Sequence, residues 1–152
     1  MEFKTALTKA MQICSRRELC VSDVAAKLAL WEVTSLDARK ILDTLLKENF
    51  INEERYAKAF VRDKFTYNKW GKIKIASHLK AKRIPASTIN LALEEIDNSE
   101  YFNAIEAILK THKKTIKAKT DYELKAKLLR FGLSRGFESS LLYEIIGDFN
   151  VE

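Results

Sequence analysis

Residues that turn or interrupt the backbone are scarce in this chain, which has four glycines and one proline among its 152 residues. Average usage of these two residue types together is about 12%, so few positions here accept a positive φ angle without strain. Tight β-hairpins and glycine-rich phosphate loops both need such positions. The scarcity therefore argues against an all-β sandwich, a dinucleotide-binding fold and a phosphate-binding P-loop.

Apolar residues recur at the three- and four-residue spacing of a helix along almost the whole chain. A clear stripe runs from Ala38 through Ile41 and Leu45. Asn52, followed by two glutamates, has the pattern of a helix N-cap, and the helix that it opens should run to about Asn68. Further helices are expected at about 72–82, from Pro85 to Ile96, from about Tyr101 through a lysine-rich stretch to Lys119, from Asp121, and at about 138–149. We expect Gly132 and Gly136 to break the helix that begins at Asp121.

The helical pattern repeats about every 50 residues, over about 3–48, 53–97 and 100–149. Leu28 with Val33, Leu79 with Ile84, and the segment ending at Phe137 occupy corresponding places. A module of three short helices buries little surface alone and gains stability by stacking on a neighbour. The sequence therefore predicts an all-α fold of three tandem three-helix modules, 1–51, 52–98 and 99–152, in an elongated, curved array.

The formal net charge of +6 conceals a segregation of charge along the chain. Residues 55–83 carry ten basic side chains and one acidic, and residues 110–135 carry nine basic and two acidic. The rest of the chain is net acidic. Uncompensated like charge opposes the compact state unless a partner uses it, so the two basic segments predict a polyanionic or acidic partner.

In the first basic segment an indole lies among lysines around a predicted turn, at Lys69, Trp70, Lys72 and Lys74. Such a group suits contact with phosphates and stacking on a base or an arginine. Trp70 could equally cap a small core between modules, and each lysine taken singly could be a solvated surface residue. The lysines from Lys110 to Lys119 span nearly three helical turns, so they cannot all face one way.

Enzymatic and metal-binding patterns are missing from the sequence. No paired carboxylates lie in an apolar setting, His112 is expected to be exposed, and the two histidines are far from Cys14 and Cys20 in the sequence. The cysteines suit a reducing compartment. Without a stretch of about 18 apolar residues, and with charges at Glu2 and Lys4, the chain is expected to be cytoplasmic, not membrane-bound, monomeric, and free of cofactors.

Three runs of residues resemble the signature of the RecX family of regulatory proteins. They begin at Asn52-Glu53-Glu54-Arg55-Tyr56-Ala57, at Trp70-Gly71-Lys72 and at Ile89, and Arg135-Gly136-Phe137 is similar to the family's C-terminal element. Where the family usually has Lys-Gly-Ile, this chain has Lys82-Arg83-Ile84, so a helix must end there without glycine. Cys14 stands where we would align the family's opening arginine.

The resemblance implies a modulator, usually an inhibitor, of the RecA recombinase that lodges in the groove of the RecA filament on single-stranded DNA. Because catalytic patterns are missing from the sequence, no catalytic residues are expected. The residues expected to contact RecA or DNA are the basic and aromatic side chains of the two basic segments: Arg55, Arg62, Lys64, Lys69, Trp70, Lys72, Lys74, Lys82, Arg83, Lys113, Lys114, Lys117, Arg130 and Arg135.

A helix-turn-helix DNA-binding regulator is the alternative. Residues 22–46 have the pattern of two helices, with Thr34-Ser35 opening the second. That second helix carries three acidic and three basic residues between Asp37 and Glu48, whereas a helix that reads a DNA groove is expected to be basic.

Overall fold

The computed structural model describes residues 1–151, and every regular element within them is an α-helix. The predicted all-α fold is confirmed. The helices are α1 (Phe3–Arg16), α2 (Val21–Leu30), α3 (Ser35–Lys47), α4 (Glu53–Thr66), α5 (Lys72–Ala81), α6 (Ala86–Leu93), α7 (Asn98–Lys113), α8 (Asp121–Ser134) and α9 (Ser139–Ile146).

Polar side chains cap the starts of four helices. The Asn52 side-chain oxygen accepts a hydrogen bond from the Arg55 N–H at 2.9 Å, which confirms the predicted N-cap. Thr34, Asp97 and Thr120 cap α3, α7 and α8 in the same way, accepting from the backbone N–H three residues later. Each cap supplies a partner for an N–H group that the helix itself leaves unpaired.

Most helix ends are made without glycine. Glu32, Asn49, Lys69 and Arg83, each following a helix, have φ between 58° and 63°. This left-handed conformation costs a residue with a side chain roughly 1–2 kcal/mol relative to the right-handed one. Gly136, with φ 89°, is the glycine that adopts a positive φ within residues 1–151. A chain poor in glycine therefore ends four of its helices by placing ordinary residues in a strained conformation.

One form of helix end recurs at the second helix of each predicted module. The N–H of Val33 donates to the Leu28 carbonyl, that of Ile84 to Leu79, and that of Phe137 to Gly132, at 3.0–3.2 Å. This bond across five residues, with a left-handed residue before the donor, is the Schellman motif. The donors Val33, Ile84 and Phe137 are all buried. The residue pairs that mark the 50-residue period in the sequence thus lie at helix ends of this form, which also closes α3 through the Phe50 N–H and the Leu45 carbonyl.

The described residues divide into two compact units, 1–60 with 79–92, and 61–78 with 93–151. In the first unit, α1, α2 and α3 contact one another around a core that includes Ala10, Leu28 and Leu45. In the second unit, α7, α8 and α9 contact one another, and Leu109 and Phe137 are fully buried. Helices α4 and α5 each contribute to both units. The predicted module boundaries remain a prediction.

Three details of the predicted helices are wrong. Gly132 does not break α8 but lies inside it, where a β-carbon would come within 2.4 Å of Leu142. Helix α6 ends at Leu93, although Ile96 beyond it is buried. Helix α7 ends at Lys113, so the lysines from Lys114 to Lys119 lie in a connecting segment and not on a helix.

Candidate functional site

The turn before α5 and the turn after α8 meet through two glycines. The Gly71 N–H donates to the Arg135 carbonyl at 2.7 Å, and the Ile73 N–H donates to the Gly136 carbonyl at 3.0 Å. A β-carbon on Gly71 would lie 2.3 Å from the Gly136 carbonyl carbon, and one on Gly136 would lie 2.3 Å from the Lys74 β-carbon. The backbones can approach this closely because neither residue has a side chain.

The hydroxyl of Tyr101 also connects these two turns through hydrogen bonds. It is 2% exposed. Its hydroxyl donates to the Glu138 carboxylate and accepts a hydrogen bond from the Lys72 N–H at 3.0 Å. Burial, and then the adjacent Glu138, raise the pKa of the Tyr101 phenol well above its ordinary value. A neutral hydroxyl that donates once and accepts once thus ties the first residue of α5 to the segment before α9.

Trp70 lies half-buried beside this junction. The Nζ atoms of Lys64 and Lys74 lie 4.9 Å and 4.6 Å from the centre of its ring, and the His78 ring centre lies 4.5 Å away. We call these four residues the Trp70 cluster. The electron-rich face of an indole attracts cations, so the ring concentrates positive charge around itself. Both predicted uses of Trp70, stacking on a partner and covering part of a core, are compatible with a half-buried ring.

Three further predicted cations, Lys69, Lys72 and Arg135, lie next to the cluster in the sequence or in space. Lys69 is exposed, and its Nζ donates to the Thr66 carbonyl at 3.0 Å. The Arg135 guanidinium lies 5.0 Å from the Phe131 ring centre and donates to the Asn68 carbonyl at 3.1 Å. Lys72 has its Nζ 4.6 Å from the Tyr101 ring centre. The structure therefore brings together predicted residues from both basic segments of the sequence.

The remaining predicted cations of this unit are spread over several elements. Arg62 is exposed on α4, and Arg130 is exposed on α8. Lys113 is the last residue of α7, and Lys114 follows it as the helix cap. Lys117 is exposed in the connecting segment, where its carbonyl accepts from the Lys127 amine at 2.8 Å. His112, expected to be exposed, is instead half-buried and stacks on Phe131 with ring centres 3.6 Å apart.

Three predicted residues, Arg55, Lys82 and Arg83, lie in the other unit. Arg55 is paired with Glu18 and also donates to the carbonyls of Asn49 and Phe50.

Lys82 is paired with Asp23. Partial burial acts to raise the pKa of the Asp23 carboxyl, but hydrogen bonds from Lys82 and Cys20 hold it below its ordinary value. The charges of Arg55 and Lys82 are thus used within the fold, whereas Arg83 is exposed and has a left-handed backbone.

Residues 1–151 contain no group of three or more His, Cys, Asp or Glu side chains placed to hold a metal ion. Cys14 and Cys20 are buried free thiols whose pKa values are raised, chiefly by burial. None of the helices in this part of the chain has both the length and the apolar character needed to cross a membrane.

Sequence reasoning missed three members of this arrangement. His78 follows Lys74 by four residues on a predicted helix, a spacing that places the two side chains on one face and could have identified it. Tyr101 and Glu138 carry no such signal, because their contact joins residues far apart in the chain. The backbone contact between Gly71 and Gly136 could not be predicted from the sequence for the same reason.

The fold and the site together define a class: helical proteins built from three-helix modules that present basic and aromatic side chains. Two family models place the chain within that class. The model described as the second three-helix domain of RecX matches residues 52–93, and the model for the third three-helix domain of RecX matches residues 99–146.

Individual relatives agree with these models. The regulatory protein RecX of Vibrio campbellii is 33% identical over 128 residues, which cover 84% of this chain and 81% of the relative. The RecX protein of Clostridium acetobutylicum is 28% identical over 145 residues, covering 93% and 67%. The chain belongs to the RecX family, and both of these relatives are named as regulatory proteins.

Solved structures share the fold. A crystal structure of a regulatory protein RecX superposes with a TM-score of 0.87 at 22% identity, covering 97% of this chain and 72% of the other. The crystal structure of RecX from Lactobacillus salivarius gives a TM-score of 0.83 at 18% identity, covering 96% and 95%. The predictions of a RecX-family chain and of three-helix modules are confirmed.

Proposed function

We propose that this chain regulates the RecA recombinase by binding the RecA filament on single-stranded DNA. Binding lowers RecA ATPase activity, strand exchange and coprotease activity. Membership of the RecX family supports the proposal, and the Trp70 cluster is the observation that carries it for this particular chain. Lysine amines grouped around a half-exposed indole match the chemistry of a filament, which offers DNA phosphates, stacked bases and acidic protein surfaces.

The Trp70 cluster and its neighbours supply the contacts. Lys64 and Lys74 stand over the indole, and an ammonium group forms strong, charge-assisted hydrogen bonds with phosphate or carboxylate oxygens. Exposed Lys69 and half-buried Lys72 add positive charge beside the cluster. Attraction over several ångströms also speeds the encounter with an anionic filament, and this part of the effect weakens as salt is added.

The backbone contact between the turns at Gly71 and Gly136 fixes the positions of the side chains that would make these contacts. Lys72 and Lys74 lie on the first turn of α5, whose backbone is held by Gly136 and by the Tyr101 hydroxyl. Side chains on such a fixed turn lose less conformational freedom when a partner binds. A chain that bridges neighbouring RecA protomers holds them in one relative orientation, which hinders ATP turnover at the interface they share.

Co-sedimentation with RecA filaments on single-stranded DNA tests the proposed binding. The wild-type chain should pellet with the filaments, and less of it should pellet as salt is raised. Lys72→Glu combined with Lys74→Glu should reduce the pelleted fraction and flatten the salt dependence. Lys47→Glu reverses an exposed lysine on α3 outside the predicted site and should bind as the wild type does. Equal pelleting of all three proteins would count against the Trp70 cluster.

A gel-shift series without RecA separates the proposal from its alternative, a helix-turn-helix regulator. The chain is incubated with random single-stranded and duplex DNA and with a library of duplex sequences. Weak, sequence-independent binding is expected, because contacts between lysine amines and phosphates carry no sequence information. Selection of a particular duplex sequence would favour the alternative, in which α3 enters a DNA groove.

A further inference from the structure

Helix α7 has one face in the core of its unit and another that lines a groove. Tyr101, Ile105 and Leu109 are buried, whereas the α7 residues that line the groove lie on an adjacent face of the helix. It has a volume of about 630 Å³. Ala104, Ala107, Ile108 and Thr111 of α7, with Glu100, line it and are called its floor. The other lining residues, Phe65, Thr66 and Lys69 on the α4 side and His112, Phe131 and Arg135 on the α8 side, are called its walls. We call it the α7 groove.

The dimensions and lining of the α7 groove suit a helix. From Glu100 to Thr111 the floor is about 17 Å long at 1.5 Å per residue, which is about three helical turns. Ala104 and Ala107 are small, so another backbone can come close to α7. The stacked rings of His112 and Phe131 give one wall a flat, rigid surface. Helix-in-groove recognition uses apolar side chains spaced three and four residues apart against such a floor.

The positively charged side chains in the walls of the α7 groove favour a partner that carries negative charge. Lys69 and Arg135 donate to the backbone carbonyls of Thr66 and Asn68, and neither forms an ion pair with a carboxylate within residues 1–151. A neighbouring cavity of about 550 Å³ shares His112 and Phe131 and adds Lys117, Lys127 and Arg130 to its lining. The apolar floor is therefore bordered by cations, with Glu100 as the carboxylate in its lining.

We propose that the α7 groove binds a short amphipathic helix of a protein partner. Apolar side chains of that helix lie on Ala104, Ala107 and Ile108, and its carboxylates face Lys69 and Arg135. A nucleic-acid strand fits less well, because its charged backbone would lie along an apolar floor. The α7 groove contains none of the four residues of the Trp70 cluster but shares Lys69 and Arg135 with its surroundings. The proposal does not depend on RecA as the partner.

Two designed peptides of about 16 residues, long enough for about four helical turns, test the proposal by NMR on the ¹⁵N-labelled full chain. Both carry leucines at helical spacing, and they differ only in having glutamate or lysine on the flanks. The glutamate peptide should shift the backbone amide signals of Ala104, Ala107, Ile108 and Thr111. It should bind at least about tenfold more tightly than the lysine peptide.

A pair of variants on α7 provides the matched control. Ala107→Gln places a long uncharged side chain on the groove floor and should weaken binding of the glutamate peptide by about tenfold or more. Asn103→Gln lengthens an exposed side chain of the same helix outside the groove and should leave binding unchanged. Because both positions are solvent-exposed, both variants should fold, and their amide spectra verify this.

Four results would overturn the proposal. The first is the absence of amide shifts with either peptide at millimolar concentration, and the second is equal binding of the two peptides. The third is a stronger shift of the groove amides by an oligo-dT of about 16 nucleotides, which would make the occupant a nucleic acid. The fourth is a concentration-dependent shift of these amides without peptide, which would make the occupant a second copy of this chain.

Discussion

Gly71 and Gly136 face each other in a backbone contact that leaves no room for a side chain, since a β-carbon on Gly71 would lie 2.3 Å from the Gly136 carbonyl carbon. Each glycine belongs to a separate motif of the sequence, one starting at Trp70 and the other at Arg135. The contact joins these motifs and fixes the first turn of α5, which carries Lys72 and Lys74. The same two glycines thus serve the fold and position the proposed binding side chains.

Replacing Gly136 with alanine should destabilise the protein strongly. Gly136→Ala would place a β-carbon 2.3 Å from that of Lys74, at a φ of 89°. The strained backbone and the clash together should cost about 3 kcal/mol or more, measured by urea unfolding. Gly147→Ala is the control, because that glycine has φ −51° and is exposed. Its unfolding free energy should change little, and similar losses for the two variants would contradict this account.

The end of α5 should be more stable with glycine. Arg83 has φ 63°, so Arg83→Gly relieves the cost of a side chain in the left-handed conformation, whereas Arg83→Ala keeps that cost while removing the guanidinium. We expect the glycine variant to be about 1 kcal/mol more stable than the alanine variant, by thermal or urea unfolding. An alanine variant as stable as the glycine variant would show that the backbone at this position is not strained.

Removal of the Tyr101 hydroxyl should destabilise the junction and change the alkaline limit of stability. Tyr101→Phe leaves Glu138 and the Lys72 N–H without their partner, which should cost about 1–2 kcal/mol. Tyr143→Phe, at a 65% exposed position, serves as the control and should cost almost nothing.

The direction of the alkaline effect follows from the raised pKa of Tyr101. In the folded protein the phenol keeps its proton to higher pH than it does in the unfolded chain, where it ionises near pH 10. The stabilisation is fully present below about pH 10 and is lost as the pH rises further. Unfolding measured from pH 8 to 11 should show a smaller alkaline loss in Tyr101→Phe than in the wild type. The same loss in both would contradict the assignment.

The Asp23–Lys82 ion pair should make the first unit sensitive to acid. Because the folded-state pKa of Asp23 lies below its unfolded value of about 3.9, its stabilisation is present above that pH. It disappears as the pH falls through the lower folded-state pKa. Asp23→Asn should cost about 1 kcal/mol at pH 7, since the Lys82 partner is 45% exposed and screened by solvent.

The control for this prediction is Asp43→Asn, a change at an exposed position on α3. Urea unfolding at pH 7 and at pH 3 measures both variants. The difference in stability between Asp23→Asn and the wild type should shrink at the lower pH, while Asp43→Asn should follow the wild type throughout. A constant difference at both values would exclude titration of Asp23 as the cause.

Local structure could be predicted from the sequence because its causes are local. Apolar spacing located the helices, and the side chain of Asn52 identified the cap of α4. The pairs Leu28–Val33 and Leu79–Ile84, which marked a repeat in the sequence, both lie at helix ends of one form. Arg83 stands where the family usually has glycine, and this difference predicted a helix end without glycine. In the structure Arg83 follows the helix in the left-handed conformation.

Contacts between distant parts of the chain were beyond the same reasoning. Gly132 was expected to break a helix because glycine lowers helix propensity, yet its role is to admit Leu142. Arg55 and Lys82 belonged to a basic segment, but their charges are neutralised by Glu18 and Asp23. Such pairings depend on where the helices lie in space, and a charge count along the sequence contains no information about them.

ATP hydrolysis by RecA on single-stranded DNA, measured while the chain is added up to stoichiometric excess, tests the central proposal most directly. We predict that turnover falls as the wild-type chain is added. It should fall much less with the Lys72→Glu, Lys74→Glu double variant, whose fold is checked by circular dichroism, and as in the wild type with Lys47→Glu. Turnover that stays constant at excess wild-type chain would contradict the proposal that this protein regulates RecA through its filament.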